Sequence, residues 1–201
     1  MAGTMQNTSD AIYELMKKFP NEFLRTIEFG TIPVVDTSSN GQSTILISLA
    51  LGDRGALISV DHNIKSIEAS KEVCQGRDNI TWIESDSVEY LKKVDASFHF
   101  VFLDSHSDAE TPFREFCLVA PKMVVNGILM VDDAGITEDG LNIDTTVDCR
   151  KGHLIWQFLK DCNAEFLMLP YPTFLSGTQM KIIFDEINRN KIINALERIE
   201  K

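Results

Sequence analysis

Seven short apolar runs, rich in β-branched and aromatic residues, punctuate the 201-residue chain, and most are continuous rather than alternating, as strands buried on both faces require. They are Thr31–Val35, Ala56–Val60, Ile80–Ile83, Phe98–Leu103, Gly127–Val131, Glu165–Leu169 and Gln179–Phe184. Helix-period segments lie between them, at about Gln42–Leu51, Ile64–Cys74 and Gly152–Cys162. The clearest places Phe113, Phe116, Cys117 and Ala120 on one face before Pro121 stops it. Strand and helix in alternation predict a doubly wound, mostly parallel α/β sheet. The last two runs are joined by too few residues for a crossover helix, so they should form a C-terminal antiparallel hairpin, making seven strands in all. A C-terminal helix carries Ile192, Ile193, Leu196 and Ile199 on one face.

The length suits one α/β domain, 31–201, preceded by an N-terminal helical segment, 1–30, that could cover an acceptor site or build a homodimer. No repeat, low-complexity tether or like-charge block interrupts it. Nineteen Lys and Arg against thirty Asp and Glu give a net charge of −11, which argues against nucleic acid and anionic membranes as partners and for a small molecule. With no basic-then-apolar leader and no run long enough to span a bilayer, a cytoplasmic location is expected. Cys74, Cys117, Cys149 and Cys162 form no CxxC pair, and reduced thiols are the expected state.

In open α/β sheets ligands bind beyond the carboxyl ends of the strands, and in this chain those ends are acidic. Asp36 follows the first run, Asp61 and His62 the second, Glu84 and Asp86 the third, Asp104 and His106 the fourth, and Asp132 and Asp133 the fifth. Any one of these carboxylates could simply cap the next helix. Taken as a set, they mark a site. The turn 36–44, Asp-Thr-Ser-Ser-Asn-Gly-Gln-Ser-Thr, brings small residues to the N-terminus of a helix, where backbone can approach a polar ligand. It matches neither GxGxxG nor GxxxxGK[ST], so a nicotinamide-dependent oxidoreductase and a P-loop enzyme are both disfavoured. Asp61 ends the second strand, where a carboxylate can accept from ribose hydroxyls.

Val34-Val-Asp36 with Asn40-Gly41-Gln-Ser43-Thr44, then Ile58-Ser-Val-Asp61, Phe102-Leu-Asp104-Ser-His106 and Gly127-Ile-Leu-Met-Val-Asp132-Asp133, resembles the class I S-adenosylmethionine-dependent methyltransferases over roughly residues 30–184. Within them the likeness is to small metal-dependent O-methyltransferases, both the catechol O-methyltransferase-like set and the sugar O-methyltransferase and cephalosporin hydroxylase-like set. The resemblance implies a Rossmann-like fold and S-adenosylmethionine as cofactor, held by Asp36, Ser38, Gly41, Ser43, Asp61, His62 and Asp86. It also implies a magnesium ion between Asp104, Asp132 and Asp133, with Asp104 and His106 serving catalysis on a hydroxylated small molecule. Three carboxylates at neighbouring strand ends repel unless a cation neutralises them. Magnesium prefers such oxygen ligands and can lower the pKa of an acceptor hydroxyl, while His106 suits the proton because an unperturbed imidazole's pKa lies near physiological pH.

The family's first turn usually carries an acid and, two positions on, a glycine. Around Asp36 the sequence instead reads Thr37-Ser38. The alternative is therefore a noncatalytic ligand- or partner-binding protein on a degenerate methyltransferase scaffold. Asn126-Gly127 stands where two glycines are common, a mild change because Asn tolerates left-handed backbone. His99 and His153 are expected to be structural, and Trp82 and Trp156 to belong to the core.

Overall fold

The computed structural model describes residues 2–31, 43–105, 108–132, 134, 151–170 and 178–199. Helix α1 (Ala2–Lys18) leads into β1 (Leu24–Phe29), followed by α2 (Ser43–Leu51), β2 (Gly55–Asp61), α3 (Ile64–Val73), β3 (Ile80–Glu84), α4 (Ser87–Lys93), β4 (Phe98–Leu103), α5 (Glu110–Val119) and β5 (Met123–Val131). Then come α6 (His153–Asp161), β6 (Leu167–Pro170), β7 (Thr178–Phe184) and α7 (Glu186–Ile199). The sheet order is β3-β2-β1-β4-β5-β7-β6. Strands β1 to β5 run parallel, while β7 pairs antiparallel with both β5 and β6. This is the expected seven-stranded Rossmann-like sheet with its terminal hairpin.

Side chains alternate across the sheet into two cores. Ile12 and Leu15 of α1 and Ile47 and Leu51 of α2 pack on Leu57, Phe100, Phe102, Ile128 and Met130. On the opposite face Phe116 of α5, Ile155 and Phe158 of α6 and Ile192 of α7 pack on Ile27, Phe29, Val101, Leu103, Leu129 and Val131. Successive β4 residues thus point to opposite layers, the two-residue period that holds a buried strand in register. In α7, Ile192 and Leu196 are buried as expected, but Ile199 is exposed.

The first strand differs from its expected place. The expected run Thr31–Val35 falls, beyond Thr31, outside the described residues, and the first strand, interior between β2 and β4, is Leu24–Phe29, inside the stretch read as a helical segment. Pro33 makes the physical reason plain: a central strand must donate hydrogen bonds on both sides, and proline has no N–H to give. Leu24–Phe29 was harder to see because Glu28 breaks its apolar pattern, yet Glu28 is fully buried. Helix α4 is a further element that the sequence reading did not anticipate.

Candidate active site

The parallel strands end side by side. The Gly30 N–H donates to Val60 O at 2.9 Å, the Asp104 N–H to Phe29 O at 2.9 Å, and the Asp132 N–H to Leu103 O at 2.9 Å, so the ladder continues one residue past β1, β4 and β5. Gly30 has φ +92°, and a Cβ there would lie 2.3 Å from the Asp104 carbonyl oxygen and 3.1 Å from Ser105 Cα. Only glycine satisfies both the left-handed backbone and the close approach. A narrow cleft opens over this point, lined by Gly30, Asp61, His62, Ser85, Asp86 and Ser105.

Asp61 is tied into the floor of that cleft. Its Oδ2 accepts from the Thr31 N–H and hydroxyl, each at 2.8 Å, and its Oδ1 accepts from the Asn63 N–H at 2.7 Å. A carboxylate has about four acceptor sites, so three bonds to the chain fix its direction without exhausting it. His62, with Nδ1 3.7 Å from Asp61 Oδ1, is exposed. Asp86 caps α4 by accepting from the Glu89 N–H at 2.9 Å, the local role any such carboxylate can take, and it stays exposed at the cleft rim.

Beneath the cleft lies Glu28, two residues before Gly30 and wholly buried in β1. Its Oε1 accepts from the hydroxyls of Thr44, in the first turn of α2, and Ser59, at 2.7 Å from the latter. Its Oε2 has no hydrogen-bond partner among the described residues. Burial raises its carboxyl from the ordinary 4.5 to about 7, against the pull of the Thr44, Ser59 and Ser43 hydroxyls and with the nearby Asp61 charge adding to the rise. Ser43 begins the same helix beside it. Glu28 and Gly30 thus show, upstream of Pro33, the acid-then-glycine spacing that the sequence lacks around Asp36. Searching for that pair upstream of Pro33 would have found them.

At the far side, Asp104 is not open to solvent. The Lys151 ammonium donates to its Oδ1, and both side chains are more than 90% buried. Asp132 accepts on Oδ1 from the fully buried Gln179 Nε2 at 2.8 Å. Glu115 of α5 is buried behind this end, and burial raises its carboxyl to about 7 against the pull of the nearby Ser105 and Ser87 hydroxyls and, least, of Lys151. Lys151, Gln179, Glu28 and Glu115 were all missed by the sequence reading. Each lies within an element or beside a helix start rather than directly after an apolar run.

Of the expected site residues, Asp36, Ser38, Gly41, His106 and Asp133 lie outside the described residues. Ser43, Asp61, His62, Asp86, Asp104 and Asp132 lie at the strand ends or the adjoining helix starts. What is described there does not favour a magnesium ion, because the Lys151 ammonium already neutralises Asp104 and the Gln179 amide already engages Asp132 Oδ1. No group of three metal-capable side chains occurs among the described residues. His99 is structural as expected: Nδ1 accepts the Arg25 N–H at 3.1 Å, so Nε2 carries the proton facing Glu22. Trp82 and Trp156 are half-buried, and His153 is exposed in the first turn of α6. Asn126 takes φ +66°, the left-handed backbone its position required. Cys74, Cys117 and Cys162 are free thiols, and Cys149 lies outside the described residues. Among the described residues no helix is long and apolar enough to cross a membrane.

Residues 38–134 match a family model described as a methyltransferase domain. No curated protein matches the chain in sequence. Among solved structures it is similar to cofactor-bound Rv0187 from MTB, at 14% identity and TM-score 0.66, over 90% of this chain and 81% of that one. It is also similar to an O-methyltransferase from Bacillus cereus in complex with SAH, at 17% identity and TM-score 0.61, over 89% and 80%. A third is the O-methyltransferase TomG from Streptomyces achromogenes, involved in tomaymycin synthesis and in complex with SAM, at 14% identity and TM-score 0.59, over 87% and 79%. The resemblance read from the sequence is thus met by a methyltransferase-domain match over residues 38–134 and by a fold shared with these solved structures.

Proposed function

We propose that this chain transfers the methyl group of S-adenosylmethionine to a hydroxyl oxygen of a small molecule. The observation that carries the reading is the Glu28-Phe29-Gly30 strand end: a buried carboxyl with one oxygen unpartnered, two residues before a glycine that leaves bare backbone at the cleft. Its acid-and-glycine spacing favours this reading over a degenerate scaffold, which rested on the missing glycine near Asp36.

When bound, S-adenosylmethionine supplies an electrophilic methyl group on a sulfonium centre. Glu28 and Asp61 offer carboxylate oxygens to the cationic and hydroxyl parts of such a molecule, and exposed Asp86 offers another at the rim. The cleft's position on rigid strand ends supplies orientation, the largest service a protein can give an in-line transfer. His106 is proposed as the group that accepts the acceptor's proton. No step is assigned to a metal.

The test is an acceptor screen that follows S-adenosylhomocysteine release and, by mass spectrometry, the gain of one methyl group on a hydroxyl. Hydroxylated small molecules turned over by the native chain and not by Glu28→Ala support the reading. Methylation confined to nitrogen or to nucleic acid would refute the acceptor class.

A further inference from the structure

The sequence places three carboxylates at the ends of β4 and β5, where a cation is required; the structure shows the chain bringing one of its own. Lys151 is 6% exposed and stands just before α6, and its ammonium is bonded to Asp104. A buried ammonium keeps its charge only beside an acid, and a buried carboxylate only beside a cation, so removing either leaves the other uncompensated.

The lysine is delivered there by a tight backbone clasp. The Gly152 N–H donates to Ala134 O at 3.3 Å, and a Cβ on Gly152 would fall 2.8 Å from Ala134 Cβ and 3.1 Å from its Cα. The segment entering α6 is thereby strapped onto the chain leaving β5, and the side chain at 151 reaches the end of the neighbouring strand. Asp132, one strand further, is held by buried Gln179.

A divalent ion at this end, which needs ligands at about 2.0–2.1 Å in a near-octahedral shell, would have to displace an ammonium that already neutralises Asp104 and would be repelled by its charge. The ammonium is a compact charge with three N–H donors and cannot chelate two oxygens as a metal does.

We propose that Lys151 is the resident cation of the acceptor end of the site, holding between β4 and β5 the place a divalent metal would otherwise take. Resting on the methyltransferase reading, a consequence for substrate class follows. An acceptor oxygen there meets a hydrogen-bond donor rather than a coordinating ion, so a vicinal diol or catechol has no metal chelation to gain over a single hydroxyl.

The experiment titrates the full chain with Mn2+ as the probe, read by electron paramagnetic resonance of free Mn2+. It uses the native protein, Lys151→Met, Lys151→Arg and Asp104→Asn, with S-adenosylhomocysteine binding measured on the same samples. The native chain and Lys151→Arg should show no stoichiometric site at submillimolar Mn2+, whereas Lys151→Met should gain one, at least about tenfold tighter than any residual binding. A stoichiometric micromolar site in the native chain that Asp104→Asn abolishes would overturn the proposal, as would a folded Lys151→Met that gains no site. If Lys151→Met does not fold, the native chain and Asp104→Asn decide alone. Failure of S-adenosylhomocysteine to bind would fall on the methyltransferase reading and leave the Mn2+ result to judge Lys151.

Discussion

Replacing Glu28 by Gln should stabilise this protein above neutrality while disabling it. The carboxyl is fully buried and its pKa rises from 4.5 to about 7, so between those values the folded chain holds a proton that the unfolded chain has released. Stability therefore falls as pH rises through this window: the contribution is fully present below 4.5, is lost through about 7, and is flat above. At 1.36 kcal/mol per pH unit the full span is about 3 kcal/mol, of which about 2 kcal/mol lies between pH 5.5 and 8. Gln has nearly the same shape, can accept from Thr44 and Ser59 through its carbonyl oxygen, and does not titrate. Urea unfolding followed by far-UV circular dichroism at pH 5.5, 6.5, 7.5 and 8 gives the difference between variant and native chain, and other titrations cancel in it. That difference should move in favour of Glu28→Gln by about 2 kcal/mol from the lowest pH to the highest. A difference independent of pH would refute the reasoning, because Glu28 would then keep an ordinary pKa and could not be the desolvated acid described.

Gly30→Ala adds a Cβ at 2.3 Å from a carbonyl oxygen on a backbone with φ +92°, and should cost roughly 2 to 4 kcal/mol in chemical denaturation. Thr44→Val removes a hydroxyl that favours the Glu28 carboxylate, so the pH-dependent fall in stability should extend to higher pH than in the native chain, read by the same urea series. Asn188 is 3% exposed; its side chain accepts from the Glu165 N–H at 2.7 Å and donates to Glu165 O at 2.9 Å and Ile183 O at 2.8 Å. Asn188→Ala strands those groups and should lower stability by about 3 kcal/mol, measured by urea midpoint. Gly152→Val should break the clasp on Ala134 and with it the seating of Lys151, seen as a lower melting temperature than that of the native chain.

Most of the architecture was legible because interior strands leave long apolar runs, as β2, β4 and the second half of β5 do, and the more exposed β3, β6 and β7 still carry shorter ones. Strand β1 hid behind its function: Glu28 is a charged residue at a core position, tolerated because Thr44 and Ser59 satisfy one of its oxygens. A chain read for apolar continuity passes over that strand and settles on Thr31–Val35, whose Pro33 should have excluded it. The acids at the strand ends were legible for the same reason the strands were, since each follows a run directly. Their partners were not. Lys151 reaches Asp104 from a distant part of the chain, and Gln179 reaches Asp132 from the start of an antiparallel strand. Such pairings are set by tertiary packing, and no local spacing announces them.

The central claim is that the cleft over Gly30 binds an S-adenosyl ligand. Calorimetric titration of the folded native chain with S-adenosylhomocysteine, beside a titration with NADH, tests it most directly. The account predicts one saturable micromolar site for S-adenosylhomocysteine and none for NADH. Absence of binding to a chain whose circular dichroism shows it folded would contradict it.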